Sequence, residues 1–232
     1  MTPIFPPRPP VLVPIHGQAT GFPVRRIYCV GRNYADHARE MGSDPAREPP
    51  FFFAKDADAV ALDGATIPYP PVTQDYHHEV ELVVAIGQAG FQVSEAAAEA
   101  LIFGYAVGLD MTRRDLQSAA RGKGQPWSVA KNFPASAPVG AIHPIAETGA
   151  LRAGAITLRV NGGVRQSGDL RDLIWNVPAT LAALSTLYRL LPGDLVFTGT
   201  PAGVGPVLPG DVLVGAIDGL GTLTVTVGPA EA

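Results

Sequence analysis

Residues 75–86, DYHHEVELVVAI, open polar and close as an unbroken apolar run. The apolar half reads as a buried strand, yet Glu79 and Glu81 stand two residues apart at its start. Side chains alternate across a strand, so both acids point to one face while Val80 and Leu82 point to the other. Two like charges on one face repel, and near a core they also lose hydration. The pattern therefore demands positive charge between them. His77 is in register with Glu79, which gives it either a place at the same face or a supporting one, whereas His78 points away.

The chain of 232 residues is 47% hydrophobic and 16% charged, enough for one substantial core. With 26 glycines and 23 prolines, it reads as many turns and short strands rather than long helices. A formal net charge of -4 and the absence of a basic run argue against a nucleic-acid partner. No apolar stretch reaches the length of a membrane span and no signal peptide is read at the start, so a cytoplasmic location is expected. The single cysteine, Cys29, lies inside an apolar strand pattern with no base beside it and reads as a core residue.

The organisation expected is a proline-rich arm over residues 1–24, with a short strand at VLVPI, followed by one catalytic domain over residues 25–232. Strands are expected at RRIYCVG, at the aromatic FFF segment, and at VELVVAIG, IFGYAVGLD, ITLRVNG, DLVFTGT, DVLVGAIDG and TLTVTV. Helices are expected at RNYADHAREMG, closed by Gly42, at VSEAAAEALI and at NVPATLAALSTLYRL with Pro178 in its first turn. TRRDLQSAARGKG is expected to be a helix capped by Thr112, with Asp115 completing a capping box. The class is α+β, mostly β, rather than a doubly wound sheet.

Asp110 ends a strand directly before that helix. If its strand lies beside the one carrying Glu79 and Glu81, three carboxylates converge; otherwise they are unrelated acids on a solvated face. Hard oxygen ligands without cysteine suit Mg2+ or Mn2+, or less specifically Ca2+, with waters completing the shell. Arg114 and Gln117 share a helical face and can meet one anionic ligand, while Arg113 lies one position round. His37 and Glu40 are a second pair at helical spacing, the arrangement in which a carboxylate orients an imidazole base. Asn33 and Tyr34 precede them and are candidates to seat a substrate. Lys131 is read either as a surface lysine or as a counter-charge for an anionic substrate. The glycine-rich FTGTPAGVG offers backbone amides and the Thr200 hydroxyl to a carboxylate, without the lysine of a phosphate loop. The residues alone sketch a metal-assisted site for an acidic small molecule.

Six blocks in order resemble the fumarylacetoacetate hydrolase family, in its acylpyruvate hydrolase branch: YCVGRNYADHAREMG, PFFFAKDADAV, YHHEVELVVAIG, GYAVGLDMTRRDLQ, PWSVAKNFPASAPVG and LLPGDLVFTGTPAGVGPVLPGD. Asp56 departs from the short residue expected after the lysine of FFFAK. The resemblance implies a curled mixed β-sheet fold with short helices, a homodimer, and Mg2+ or Mn2+ held by Glu79, Glu81 and Asp110. It implies that His37 activates water with Glu40 behind it, on a segment that closes over ligand. It further implies that Arg114, Gln117, Lys131 and Thr200 hold a diketo acid, with Lys131 also stabilising an enolate. Arg32, by position alone, is the candidate for a second carboxylate. The implied reaction is carbon–carbon bond hydrolysis of an acylpyruvate, fumarylpyruvate giving fumarate and pyruvate in aromatic-compound (gentisate) breakdown. Oxaloacetate decarboxylation and hydrolysis of simpler acylpyruvates are the alternatives on the same site, and a non-catalytic metal-binding domain is a more distant one.

Overall fold

The computed structural model describes residues 1–40 and 49–230, apart from the side chains of Ala38 and Glu40. Its centre is an eight-stranded mixed sheet. The order is Phe51–Lys55, Arg26–Gly31, Asp194–Phe197, Val80–Ile86, Ile102–Leu109, Ala137–Val139 and Val60–Leu62, with His143–Pro144 pairing beside Ile102–Leu109. Two neighbours run parallel, Asp194–Phe197 with Arg26–Gly31 and Ala137–Val139 with Val60–Leu62; the other pairings are antiparallel. A second, five-stranded sheet runs Gly163–Asp169, Ala155–Val160, Val212–Ile217, Gly221–Ala230 and Thr66–Tyr69. The result is a curled mixed β fold with short helices, as the sequence leads one to expect.

Val80–Ile86 is buried at every position, and its two faces serve two cores. Leu82, Val84 and Ile86 pack with Leu158, Leu213 and Leu223 between the sheets. Val83 and Ala85 pack on the other side with Phe197, Leu195 and Val13. A strand covered on both faces reads as a continuous apolar run, which accounts for the VELVVAI pattern. Val13, Ile15, Phe22 and Val24 are buried in this second core, and Val11–Pro14 pairs antiparallel with Gly21–Val24. The short strand expected at VLVPI is present, and its partner Gly21–Val24, not expected from the sequence, helps it cover the sheet.

The quoted run is not one strand. Tyr76–His78 belongs to a three-stranded sheet with Thr112–Arg113 and Gly205–Pro206, and pairing in the central sheet starts only at Val80. Gln166 fixes the break: its Oε1 accepts from His78 Nδ1 at 3.0 Å and from the Val80 amide at 3.0 Å. Glu79 is thereby left between two sheets, facing the same side as Glu81.

The helices also follow the expected pattern, with one correction. Asn176 caps Val177–Leu187 by accepting from the Ala179 amide at 2.9 Å. The helix Arg114–Gly122 starts one residue later than a Thr112 cap would set it and has no side-chain cap. Thr112 is instead a strand residue whose hydroxyl donates to the Asp110 carbonyl at 3.0 Å, and Asp115 accepts from the Thr73 hydroxyl at 2.6 Å and the Gln74 amide at 3.0 Å. Strand pairing with His77 outcompetes the cap. The closure expected at Gly42 lies outside the described residues. Among the described residues no helix is long and apolar enough to cross a membrane.

Gly108 lies opposite Glu81 in the central sheet, where an added Cβ meets Val83 Cγ2 at 2.4 Å and Phe197 Cε1 at 2.8 Å. Gly108→Ala overpacks this layer and is expected to destabilise the protein by about 1–3 kcal/mol. The thermal midpoint then falls by roughly 2–4 °C per kcal/mol, which a calorimetric scan reads; an unchanged midpoint refutes the packing argument. Burial lowers His78 from its ordinary 6.5 to about 4, so the folded state resists its protonation. That contribution is complete above pH 6.5 and is lost as pH falls toward 4, on the order of 3 kcal/mol in all. His78→Asn keeps an N–H toward Gln166 without the titration. The parent should lose stability relative to this variant across that window, and parallel pH–stability curves would contradict the assignment.

Candidate active site

Three carboxylates meet in one pocket. Glu79, Glu81 and Asp110 are buried, and one oxygen of each lies within 4.8 Å of the others. The condition set by the sequence is met: Ile102–Leu109 pairs with Val80–Ile86, and Asp110 leaves its end beside Glu79, to whose carbonyl its amide donates at 2.8 Å.

The expected positive charge is also present. Lys131 is 2% exposed, which removes the surface reading, and its Nζ donates to Glu79 Oε2 at 2.8 Å and Asp110 Oδ2 at 2.7 Å. Arg114 donates through Nη2 to Glu79 Oε1 and through Nη1 to Gln117 Oε1, so the two residues do share a buried face. His77 supports Arg114 from behind: its Nδ1 accepts from Arg114 Nε at 3.3 Å while Nε2 lies 2.8 Å from Asp75. Burial and then the Arg114 guanidinium hold His77 below its ordinary value, in the neutral form that can accept.

Glu79 and Glu81 respond in opposite directions. Burial alone would raise Glu79, but Lys131 and Arg114 outweigh it and hold the carboxyl well below the usual range. Burial, with the charges of Asp110 and Glu79 behind it, pushes Glu81 well up; Lys131 and the Gly199 amide only partly offset this. The Gly199 amide donates to Glu81 Oε2 at 2.7 Å. The carboxylate cradled by FTGTPAGVG is therefore the protein's own. At φ +100° Gly199 occupies the left-handed region, and a Cβ there would stand 2.7 Å from Asn33 Cβ.

Lys55 and Gln166 were not singled out from the sequence. Lys55 is 2% exposed, and its Nζ lies 2.8 Å from Asp110 Oδ1. That contact is an ion pair out of line for a hydrogen bond, which leaves Oδ1 a buried oxygen without a hydrogen-bond partner. Lys55 also donates to the carbonyls of Lys131 and Ser136, tying the two lysine-bearing segments together. Asp56, the departure from the family pattern, adds to this tie: Asn132 Nδ2 donates to its carboxylate at 2.8 Å and its amide donates to Asn132 Oδ1 at 2.9 Å. The available signal for Lys55 was its place two residues after Phe53 on one strand face.

His37, Arg32 and Thr200 line the pocket with Phe53, Trp127 and Arg121. His37 is buried, and the Glu40 side chain expected behind it lies outside the described residues. The Arg32 guanidinium sits 5.4 Å from the Phe51 ring centre. The Thr200 hydroxyl accepts from Gln166 Nε2 at 2.7 Å, so the residue that fixes the strand break also orients Thr200. Asn33 is placed differently from its expected substrate role. It is fully buried outside the pocket, donating to the carbonyls of Trp175 and Thr198 at 2.9 and 2.8 Å and accepting from the Trp175 amide at 2.7 Å. All its polar capacity goes to backbone that frames the site.

The donor set fits a hard divalent cation. It consists of carboxylate oxygens, one of them without a hydrogen-bond partner, in a pocket where burial and the neighbouring acids push one carboxyl toward its protonated form.

Residues 26–228 match the family described as Fumarylacetoacetate (FAA) hydrolase C-terminal. A fumarylpyruvate hydrolase of Ralstonia sp. is 50% identical over 188 residues, covering 81% of this chain and 97% of the relative. The mouse mitochondrial oxaloacetate tautomerase FAHD1 is 42% identical over 210 residues, covering 89% of this chain and 93% of the relative. The crystal structure of Pseudomonas aeruginosa fumarylpyruvate hydrolase in complex with Mn2+ and pyruvate superposes with a TM-score of 0.97 at 53% identity. That match covers 99% of this chain and 100% of the other. With its carboxylate pocket, its curled mixed sheet and these relatives in agreement, the chain belongs to the fumarylacetoacetate hydrolase family.

Proposed function

We propose that this protein is a metal-dependent hydrolase of the carbon–carbon bond of an acylpyruvate, with fumarylpyruvate as substrate and fumarate and pyruvate as products. The observation that carries this reading is the convergence of Glu79, Glu81 and Asp110 on one pocket that also holds Lys131, Arg114 and His37. It is supported by the likeness to a structure holding Mn2+ and pyruvate.

The three carboxylates would hold Mg2+ or Mn2+, which supplies Lewis-acid polarisation of the 2-oxo acid oxygens and neutralises charge. Arg114 and Gln117 orient the substrate carboxylate, with the Thr200 hydroxyl opposite. His37 takes a proton from water, and the oxygen adds to the distal carbonyl carbon. The bond between that carbon and the pyruvyl methylene then breaks, its electron pair passing into the enolate of pyruvate. Lys131, whose charge is held by Asp110 and Glu79 against the effect of burial, faces this developing negative charge. Protonation of the enolate carbon completes pyruvate, and the distal fragment leaves as fumarate. Glu40 is assigned to orient His37, and Arg32 to meet the second carboxylate. Dimeric association, cytoplasmic location and a place in gentisate breakdown belong to the same proposal.

Oxaloacetate is the second reading, favoured by relatives named for it, including an oxaloacetate decarboxylase of Dictyostelium discoideum at 40% identity. The test runs both substrates. Metal-stripped protein should be inert toward fumarylpyruvate, and Mg2+ or Mn2+ should restore loss of the enol absorbance together with pyruvate release. Undiminished turnover without metal would defeat the proposal, and rapid oxaloacetate consumption with a flat fumarylpyruvate trace would select the second reading. His37→Ala should lower kcat by roughly a hundredfold to ten-thousandfold with metal affinity retained. A variant with wild-type kcat would remove His37 from the water-activating role.

A further inference from the structure

Of the chain's five histidines, His16 and His143 stand apart both from the carboxylate pocket and from the residues that support it. Their rings stack with centroids 4.1 Å apart and planes 15° from parallel. Glu147 joins them, its Oε2 lying 3.3 Å from His16 Nδ1. One ligand atom from each of the three falls within 4.8 Å of the others. We infer that His16, His143 and Glu147 form a second metal site, for a borderline cation of the Zn2+ class rather than Mg2+ or Mn2+.

The backbone brings the three donors together before any ion arrives. The His16 amide donates to the Ile142 carbonyl at 2.9 Å, and the Ile142 amide donates to Pro14 at 2.8 Å. His143 is held against Tyr105 in the central sheet, and Glu147 follows on the short helix Ile145–Thr148. The nearby Leu220 backbone favours an N–H on one His143 nitrogen, and in the neutral ring the other nitrogen is the one able to ligate. This is the support by which protein backbone commonly orients a metal-bound imidazole. Burial and then the nearness of His16 lower His143 from its ordinary value, which favours the neutral, ligating form.

The donor chemistry selects the ion. Two imidazoles and one carboxylate suit Zn2+ and its neighbours, whereas Mg2+ prefers oxygen alone. Donors about 2.1 Å from a tetrahedral ion stand about 3.4 Å apart, and the His16–Glu147 separation of 3.3 Å already meets this. The stacked rings do not, because parallel imidazoles aim their lone pairs side by side. The His16 side chain is 57% exposed and turns out of the stack when the ion binds, with water completing the shell. Such an ion would staple the turn between Val11–Pro14 and Gly21–Val24 to the segment behind Ile102–Leu109, stabilising the folded state by linkage.

The full-length metal-stripped protein is titrated with Zn2+ by calorimetry, beside His16→Ala and His143→Ala. The carboxylate pocket also takes up Zn2+, so the readout is the difference in stoichiometry. The parent should bind one equivalent more than either variant and gain more thermal stability on Zn2+ addition. Both variants should keep Mg2+-dependent turnover at the parental rate, which certifies their fold. Equal uptake by all three proteins overturns the site, and so does a loss confined to one variant, since a shared ion needs both imidazoles.

Discussion

Three carboxyl groups buried in one pocket set the terms for the rest of this structure. Each loses hydration there, and each feels the charge of its neighbours across a medium that screens poorly. The fold answers with buried cations placed at contact distance: Lys131 between Glu79 and Asp110, Arg114 on Glu79, and Lys55 on Asp110. The compensation is uneven. Glu79 receives two cations and is held ionised, whereas Glu81 receives a backbone amide and is pushed toward its protonated form. The unevenness gives the pocket an appetite for one more positive charge on the Glu81 side.

Much of the polar machinery never touches the pocket and exists to place groups that do. Gln166 spends its oxygen on His78 and Val80 and its nitrogen on Thr200 and the Pro201 carbonyl. In doing so it ends one sheet, starts another and leaves Glu79 in the gap. Asn33 holds the Trp175 and Thr198 backbones and lets Gly199 approach closely enough to reach Glu81. A buried amide side chain with every donor and acceptor engaged is worth more as rigidity than as a ligand contact.

The sequence carried the local half of this arrangement. The acids two apart in a strand, the Arg114–Gln117 helix spacing and the apolar runs of the central sheet are period rules, and they survive because burial reinforces them. What it did not carry was pairing between distant segments. Lys55 becomes part of the site because Phe51–Lys55 lies on the same sheet as the carboxylate strands and its end meets the Lys131 segment, more than seventy residues away. Gln166 lies on a strand that otherwise looks solvated, and nothing nearby in sequence shows that its side chain crosses to His78. Thr112 failed as a cap for the same reason: a strand partner at His77 was available, and the tertiary bond won over the local one. Asn33 was misplaced because a polar residue beside a catalytic pattern looks the same whether it faces ligand or backbone.

Charge counting also accounts for why the substrate should be a dianion. The three carboxylates are balanced by Lys55, Lys131 and Arg114 when all are ionised, so the buried set is neutral without a metal. Burial and the neighbouring acids push Glu81 toward its protonated form, which favours a further positive charge beside it. A divalent ion held by the three carboxylates would favour ionised Glu81 and would add about two positive charges at a single point. On the proposed reading, a diketo acid with two carboxylates would match that added charge, with Arg114, Arg32 and Arg121 among the cations that line the pocket. Cation first and dianion second is the order that never leaves like charges facing each other unscreened.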